Sequence, residues 1–274
     1  MSQSELSLET KIIRYMDLSK FISLISRNNV FYSNAERFED RNEVMVTRND
    51  WKRIRTNEIK FFKEIDDYYN LKYPDTELDM MNSKYRLFQD YRKYVFIHCW
   101  NLFNQEKNFL WKSYTDQGKG LAIVSTIRDY LNSITDKRIM NLIKHKDVEY
   151  IDYNKFKIIR KNEIKDWDDF NKLMIEFYKH YFYRDEEEYR FSISLFKELY
   201  QTDQKRTIGT INGCEYSTEE GGIKISVDAN SLINTIIISP FSSKYQRNVI
   251  INLKNTYGLK CKIRDSSIKD LWMQ

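Results

Sequence analysis

Apolar and polar positions along the chain alternate with two different periods, and the switches between them mark the elements. Lys11-Ile12-Ile13-Arg14-Tyr15 reads as a short strand. Asp17 then stands where an N-cap belongs, ahead of Leu18, Phe21, Ile22, Leu24 and Ile25, which share one face of a 3.6-residue repeat. Asn28-Asn29 stops that helix, and Val30 to Ser33 resumes as a strand before a polar loop from Asn34 to Asn42. The chain therefore opens as β-α-β.

From Thr47 to Tyr69, and again from Leu78 to Tyr94, charged residues alternate with aromatics at helical spacing, with no Pro or Gly inside either core run. This predicts two long amphipathic helices, a helical insertion over 47–94. Tyr94 to Trp100 is apolar and β-branched or aromatic almost throughout, as expected of a strand crossing the centre of a sheet. A short helix over Asn108–Tyr114, a turn at Gly118-Lys119-Gly120, a second central strand over Leu121–Ser125 and a half-exposed strand over Val148–Ile151 follow. Asp166 to Tyr183 shows a regular amphipathic period and predicts a helix that delivers the chain to Glu186-Glu187-Glu188, where a strand begins and runs to Ser194. Beyond it, strands are expected over Thr207–Ile211, Gly222–Val227, Thr235–Ser239 and Leu259–Ile263, with a helix over Ser243–Thr256 that Gly258 stops.

Strands cluster in runs instead of alternating strictly with helices, which predicts an α+β fold with a mixed, largely antiparallel sheet. Seven Gly and two Pro in 274 residues, and no Ser- or Pro-rich linker, give no compositional boundary, so one domain over 1–274 is expected. The 45 basic and 40 acidic residues make a mixed surface with a net charge of +5, which leaves nucleic acid open as a partner without demanding it. Cys99, Cys214 and Cys261 are odd in number and far apart, which fits a reducing compartment and argues against a structural zinc. The N-terminus lacks a signal pattern and no apolar run approaches the ~20 residues of a membrane span. A cytoplasmic protein with no membrane partner is the expectation.

The densest candidate chemistry is Glu186-Glu187-Glu188-Tyr189-Arg190. Strand alternation from Glu186 onward would put Glu186, Glu188 and Arg190 on one face and Glu187 on the other. Two neighbouring carboxylates raise the pKa of one of them, which suits general-base work. They equally suit an acidic turn paired with Lys179, Arg184 and Arg190. Arg14, amid apolar neighbours, is either a ligand clamp or a buried partner for Asp40 or Glu188. Asp40 and Glu43 would form a metal or substrate site, or cap and pair locally. His98, His145 and His180 lack ligand spacing, so no metal is predicted. Adjacent strand residues face opposite sides, which excludes His98 and Cys99 as a catalytic pair. Trp100, Trp111 and Tyr114 line a pocket or belong to the core.

Four segments taken together carry a resemblance: Arg14-Tyr15 with Phe31-Tyr32-Ser33 and Phe38-Glu39-Asp40; Cys99-Trp100 with Leu110-Trp111, Tyr114 and Gly120; Glu186, Glu188 and Arg190; and Ile238-Ser239-Pro240-Phe241 with Tyr257-Gly258-Leu259. In this order they resemble the bacterial family catalogued as domain of unknown function 2971. The central strand departs from that family's Cys-aromatic-Ser pattern by ending Cys99-Trp100-Asn101. The layout looks more distantly like an ADP-ribosyltransferase-type fold, with an Arg on the first strand, an aromatic-Ser strand end and Glu-x-Glu opening a later strand.

That resemblance implies NAD as substrate. Cleaving the nicotinamide–ribose bond builds positive charge on the sugar, and a fixed carboxylate stabilises it. Glu188 would bind the ribose 2′-hydroxyl and Glu186 would activate an acceptor. Arg14 would hold a phosphate or ribose. Tyr15 or Tyr32 would stack on nicotinamide beside Ser33, while Trp111, Tyr114 and Arg190 would complete the site. The acceptor would be a protein or nucleic acid, and the context a toxin or phage-defence effector. Two other expectations stand beside it: a nucleic-acid-binding or nucleic-acid-cleaving module that grips a backbone with the helices of 47–94, and a non-catalytic interaction domain.

Overall fold

The computed structural model describes residues 6–47, 49–50, 90–158, 172–196, 208–211, 214–217 and 220–268. The chain opens with β1 (Lys11–Met16), α1 (Leu18–Arg27) and β2 (Asn29–Asn34). Asp17 caps α1 by accepting a hydrogen bond from the Lys20 backbone N–H at 2.8 Å, and Asn28 ends the helix in the left-handed conformation. The middle of the chain supplies β3 (Val95–Leu102), α2 (Asn108–Tyr114), β4 (Leu121–Thr126), α3 (Ile127–Ser133), α4 (Lys137–Met140), β5 (Lys144–Asp147), β6 (Glu149–Ile151), β7 (Tyr178–His180) and β8 (Glu188–Ser194). The last part adds β9 (Ile208–Ile211), β10 (Cys214–Ser217), β11 (Gly222–Ser226), α5 (Ala229–Leu232), β12 (Thr235–Ile238), α6 (Lys244–Thr256) and β13 (Lys262–Asp265). No described helix is long and apolar enough to cross a membrane.

The fold is α+β, built among the described residues on an 11-stranded mixed sheet in which β12 and β13 pair in parallel and the other pairs are antiparallel. Its branch point is β3. Along one edge β3 pairs with β8 over seven residues, from Val95↔Ser194 to Asn101↔Glu188. Along the other edge it meets β2 at Ile97 and Phe96, and β1 at Asn101 and Leu102. Between those contacts His98, Cys99 and Trp100 have no strand partner on that side, so β1 and β2 splay apart and leave a breach in the sheet.

Helices cover both faces of the sheet. The largest core packs Ile12, Met16, Phe96 and Trp100 against Phe21 and Leu24 of α1, Tyr130 of α3 and Ile250 of α6. The opposite face carries Ile13, Tyr15, Ala122 and Val124 against Leu110 and Trp111 of α2. Even-numbered residues of β1 thus face α1 and odd-numbered ones face α2, as strand alternation requires.

Of the helix expected over 166–183, Lys172 is α-helical and the described residues after it are not. Ile175–Phe177 is a 3-10 turn, β7 pairs in parallel with β6, and Tyr181–Glu186 is a second 3-10 turn. The aromatic run Tyr178 to Tyr183 favours extended backbone, and cross-strand pairing overrides the helical period. Met174 and Glu187, at φ 50° and 47°, close the two ends with left-handed kinks. Residues 166–171, and residues 51–89 of the two long helices expected over 47–94, lie outside the described residues.

Candidate functional site: a buried charge cluster and a breach in the sheet

Glu188 opens β8 and Arg190 follows two residues later, so strand alternation places both on the α2 face. Glu188 Oε1 accepts from Arg190 Nε at 2.9 Å, and Oε2 accepts from Arg190 Nη2 at 3.0 Å and from Lys179 Nζ at 3.2 Å. Arg190 Nη2 also bonds Glu43, and its Nη1 donates to the Glu176 carbonyl at 2.7 Å. Lys179 Nζ reaches Glu186 Oε2 at 2.9 Å and Glu43 Oε1 at 3.5 Å. The backbone N–H of Glu188 donates to the Tyr150 hydroxyl at 2.8 Å. Three carboxylates therefore share two cations.

Burial pushes the Glu188 carboxyl upward, but Arg190 and Lys179 outweigh that and hold it at about 2. For Glu43 the same effect of burial prevails over Arg190 and Lys179 and holds the carboxyl above its ordinary value, and the charge on Glu188 adds to that push. Glu43 thus takes up a proton more readily than Glu188. Burial also opposes the charge on Lys179, yet Glu188 and Glu43 raise its pKa well above the usual lysine range.

Glu186 differs from Glu188 in exposure: 15% of its side chain is open to solvent, against 4% for Glu188. It does not reach the cluster by strand alternation, because the strand begins only at Glu188. The left-handed kink at Glu187 instead turns Glu186 toward Lys179 and sends the Glu187 carboxylate to Lys107, 3.0 Å away. The Tyr114 hydroxyl donates to Glu186 Oε2 at 3.4 Å, and Asn101 Nδ2 donates to the Glu186 carbonyl at 2.9 Å. The carboxylate at the mouth of the cluster is Glu186.

Arg14 lies at the breach. Its Nη1 is buried and has no hydrogen-bond partner, and no described hydrogen bond or ion pair involves its guanidinium. Neither Asp40 nor Glu188 pairs with it; Asp40 bonds the side chain of Asn42 instead. Burial pulls the Arg14 pKa below its ordinary value, while Cys99 and Tyr114 on the α2 face and Tyr130 and Tyr32 on the α1 face push it back up. The cation therefore sits in the field of both faces. It borders a cavity of about 150 Å³ that also touches Lys20, Asn29, His98 and Trp100.

The remaining site candidates separate. Tyr32 is wholly buried on the α1 side, where the Tyr130 hydroxyl donates to its hydroxyl at 2.7 Å and its ring lies 5.2 Å from His98. Ser33 points the other way and reaches only the Asn34 carbonyl, at 3.4 Å. Tyr15 and Trp111 meet edge to face at 4.8 Å inside the α2-side core. Burial lifts the Tyr15 hydroxyl to about 12, and it accepts the backbone N–H of Lys107. Glu186, Glu188, Arg190 and Tyr114 are thus brought together on the α2 face, whereas Arg14, at an even position of β1, lines the cavity of the α1 face, where Tyr32 is also buried. Lys179 and Arg190 do pair with the acidic run, whereas Arg184 reaches only Asp185, at 3.9 Å. Tyr150, Asn101 and Lys107 had no distinguishing local pattern. Among the described residues no group of three or more His, Cys, Asp or Glu is arranged to hold a metal ion.

Fold and site together define an α+β protein with a split sheet, a buried ion-pair cluster on one side of the split and, at the split, a guanidinium nitrogen with no hydrogen-bond partner among the described residues. Residues 110–191, which run from α2 through β8 and hold most of the cluster, match the family model described as a protein of unknown function, DUF2971. No curated protein and no solved structure matches the chain.

Proposed function

We propose that this protein cleaves the nicotinamide–ribose bond of NAD and passes the ADP-ribosyl group to water or to an acceptor. The observations that carry the reading are an Arg14 Nη1 at the breach without a hydrogen-bond partner among the described residues and, on the α2 face, a partly exposed carboxylate held by Lys179 and Tyr114. A buried guanidinium nitrogen without a partner is costly, and a ligand phosphate supplies the missing acceptor. In the reaction the C1′–N bond breaks and nicotinamide leaves with the electron pair. Positive charge spreads over C1′ and the ring oxygen, where Glu186 stabilises it. The acceptor oxygen or nitrogen then bonds C1′ and gives up its proton to a carboxylate.

The burial of Glu188 divides the two carboxylates by role. Glu186 is the group exposed enough to touch a ribose, and Glu188 fixes Lys179 and thereby Glu186. NAD loss or macromolecular ADP-ribosylation would make such a protein a toxin or a phage-defence effector. The test is nicotinamide release from NAD by the purified chain. Glu186→Gln and Arg14→Met should each lower it by at least about 10²-fold, the scale of losing one transition-state charge partner, with thermal unfolding unchanged or higher. Undiminished release in Glu186→Gln would sink the reading.

A further inference from the structure

Lys107 has not figured in the chemistry, yet it touches the turn that carries Glu186. It is the N-cap residue of α2, in extended conformation, and its side chain makes no capping bond. Its Nζ instead donates to the Asp185 carbonyl at 2.6 Å and pairs with Glu187 Oε2 at 3.0 Å. Its backbone N–H donates to Tyr15 at 3.2 Å, which ties it to β1. At the far end of α2, Tyr114 meets Glu186. A seven-residue helix is about 10 Å long, so α2 braces the 181–187 turn at two points that far apart.

The turn needs such a brace. Glu187 is left-handed at φ 47°, a conformation that disfavours any residue with a Cβ by roughly 1–2 kcal/mol. Lys107 neutralises the Glu187 carboxylate on the outside of the kink, and the Leu102 N–H bonds the Glu187 carbonyl at 2.8 Å on the inside. Releasing the outer contact frees the kink to relax, and relaxation swings Glu186 away from Lys179 and Tyr114. The Lys107 side chain is only 14% exposed while that of Glu187 is 44% exposed, so solvent screens the pair from the Glu187 side and the Asp185 carbonyl bond adds to the hold.

We infer that Lys107 is a positioning residue: it holds the left-handed kink at Glu187 and so sets where the Glu186 carboxylate stands. Its kinetic consequence rests on the NAD-cleaving reading; its structural consequence does not. The experiment pairs Lys107→Met and Lys107→Arg, each followed by backbone hydrogen exchange across 182–188 and by nicotinamide release from NAD. Lys107→Met should speed exchange at the Glu187 amide, which bonds the Arg184 carbonyl, and leave the β8 amides paired with β3 protected. It should lower kcat by roughly ten- to a hundredfold, the scale of a small misplacement of a reacting group. KM should stay within about twofold, because no substrate contact is removed. Lys107→Arg should restore both readouts.

Unchanged exchange in Lys107→Met overturns the inference, and so does a rise in KM with kcat intact, which would make Lys107 a substrate contact. If the wild-type chain releases no nicotinamide, the functional reading falls, and the exchange data still decide whether Lys107 holds the kink.

Discussion

Arg14 and Arg190 are the same side chain on two strands of one sheet, and the protein treats them in opposite ways. Arg190 has Glu188 at 2.9 and 3.0 Å, Glu43 beyond, and the Glu176 carbonyl on its remaining nitrogen. Arg14 is placed where β1 and β2 part and has none of these. A fully satisfied buried cation is an element of architecture, because removing it strands its partners. An unsatisfied one lowers stability as it stands, and a chain that keeps it is placed to gain when an anion arrives.

The sharpest way to break this contrast is to remove each guanidinium in turn. Arg190→Met should destabilise the chain by about 3–5 kcal/mol, because Glu43, Glu188 and the Glu176 carbonyl lose their donor together. Urea denaturation at neutral pH measures this. Glu188→Gln should cost about 2–4 kcal/mol, since Lys179 and Arg190 keep Glu43 and Glu186. Its effect should depend on acidity. The Glu188 carboxyl ionises near 2 in the folded chain and higher when unfolded. Its contribution is therefore complete above the unfolded value of about 4.5 and is lost as pH falls through about 2. The gap between wild type and Glu188→Gln should narrow over that window, and a constant gap would contradict the ion-pair geometry.

Glu43→Gln should matter less, about 1 kcal/mol, because burial already favours its protonated form and the amide oxygen still accepts from Arg190. Arg14→Met should have the smallest effect of opposite sign: a chain as stable as wild type or up to about 1 kcal/mol more stable. A loss of several kcal/mol there would show that Arg14 is structural, and the comparison with Arg190 would collapse.

Parts of this arrangement are legible in the sequence. Asp17 and the period of Leu18 to Ile25 mark α1, the apolar run through Trp100 marks the central strand, and the opposite facing of His98 and Cys99 follows from strand alternation. The grouping of Glu186 and Glu188 is also legible, though for a different reason: a 3-10 turn and a left-handed residue, not an early strand, bring them to Lys179. Glu43 reaches Arg190 across 147 positions in the chain, and no local pattern encodes a pairing of that range. Its neighbour Val44 is a β-branched residue held at φ 57°, a conformation that costs of order 1–3 kcal/mol and that no propensity anticipates. The aromatic run before Glu186 misleads for the same reason, since its pairing with β6 is decided by residues nearly 30 positions away. The nucleic-acid reading relied on the helices of 47–94, and residues 51–89 of these lie outside the described residues.

The split of the sheet at β3 has a mechanical meaning. One end of that strand is locked to β2 and the other to β1, while its whole opposite edge is zipped to β8. Sliding it by a single residue would turn Cys99 and Asn101 toward the helices of the other face and break alignment with three neighbours at once. The strand therefore acts as a keyed axle. Ile13, beside Arg14 on β1, pairs with Asn101, whose Nδ2 donates to the Glu186 carbonyl, so the edge of the breach and the Glu186 turn share one residue of that strand.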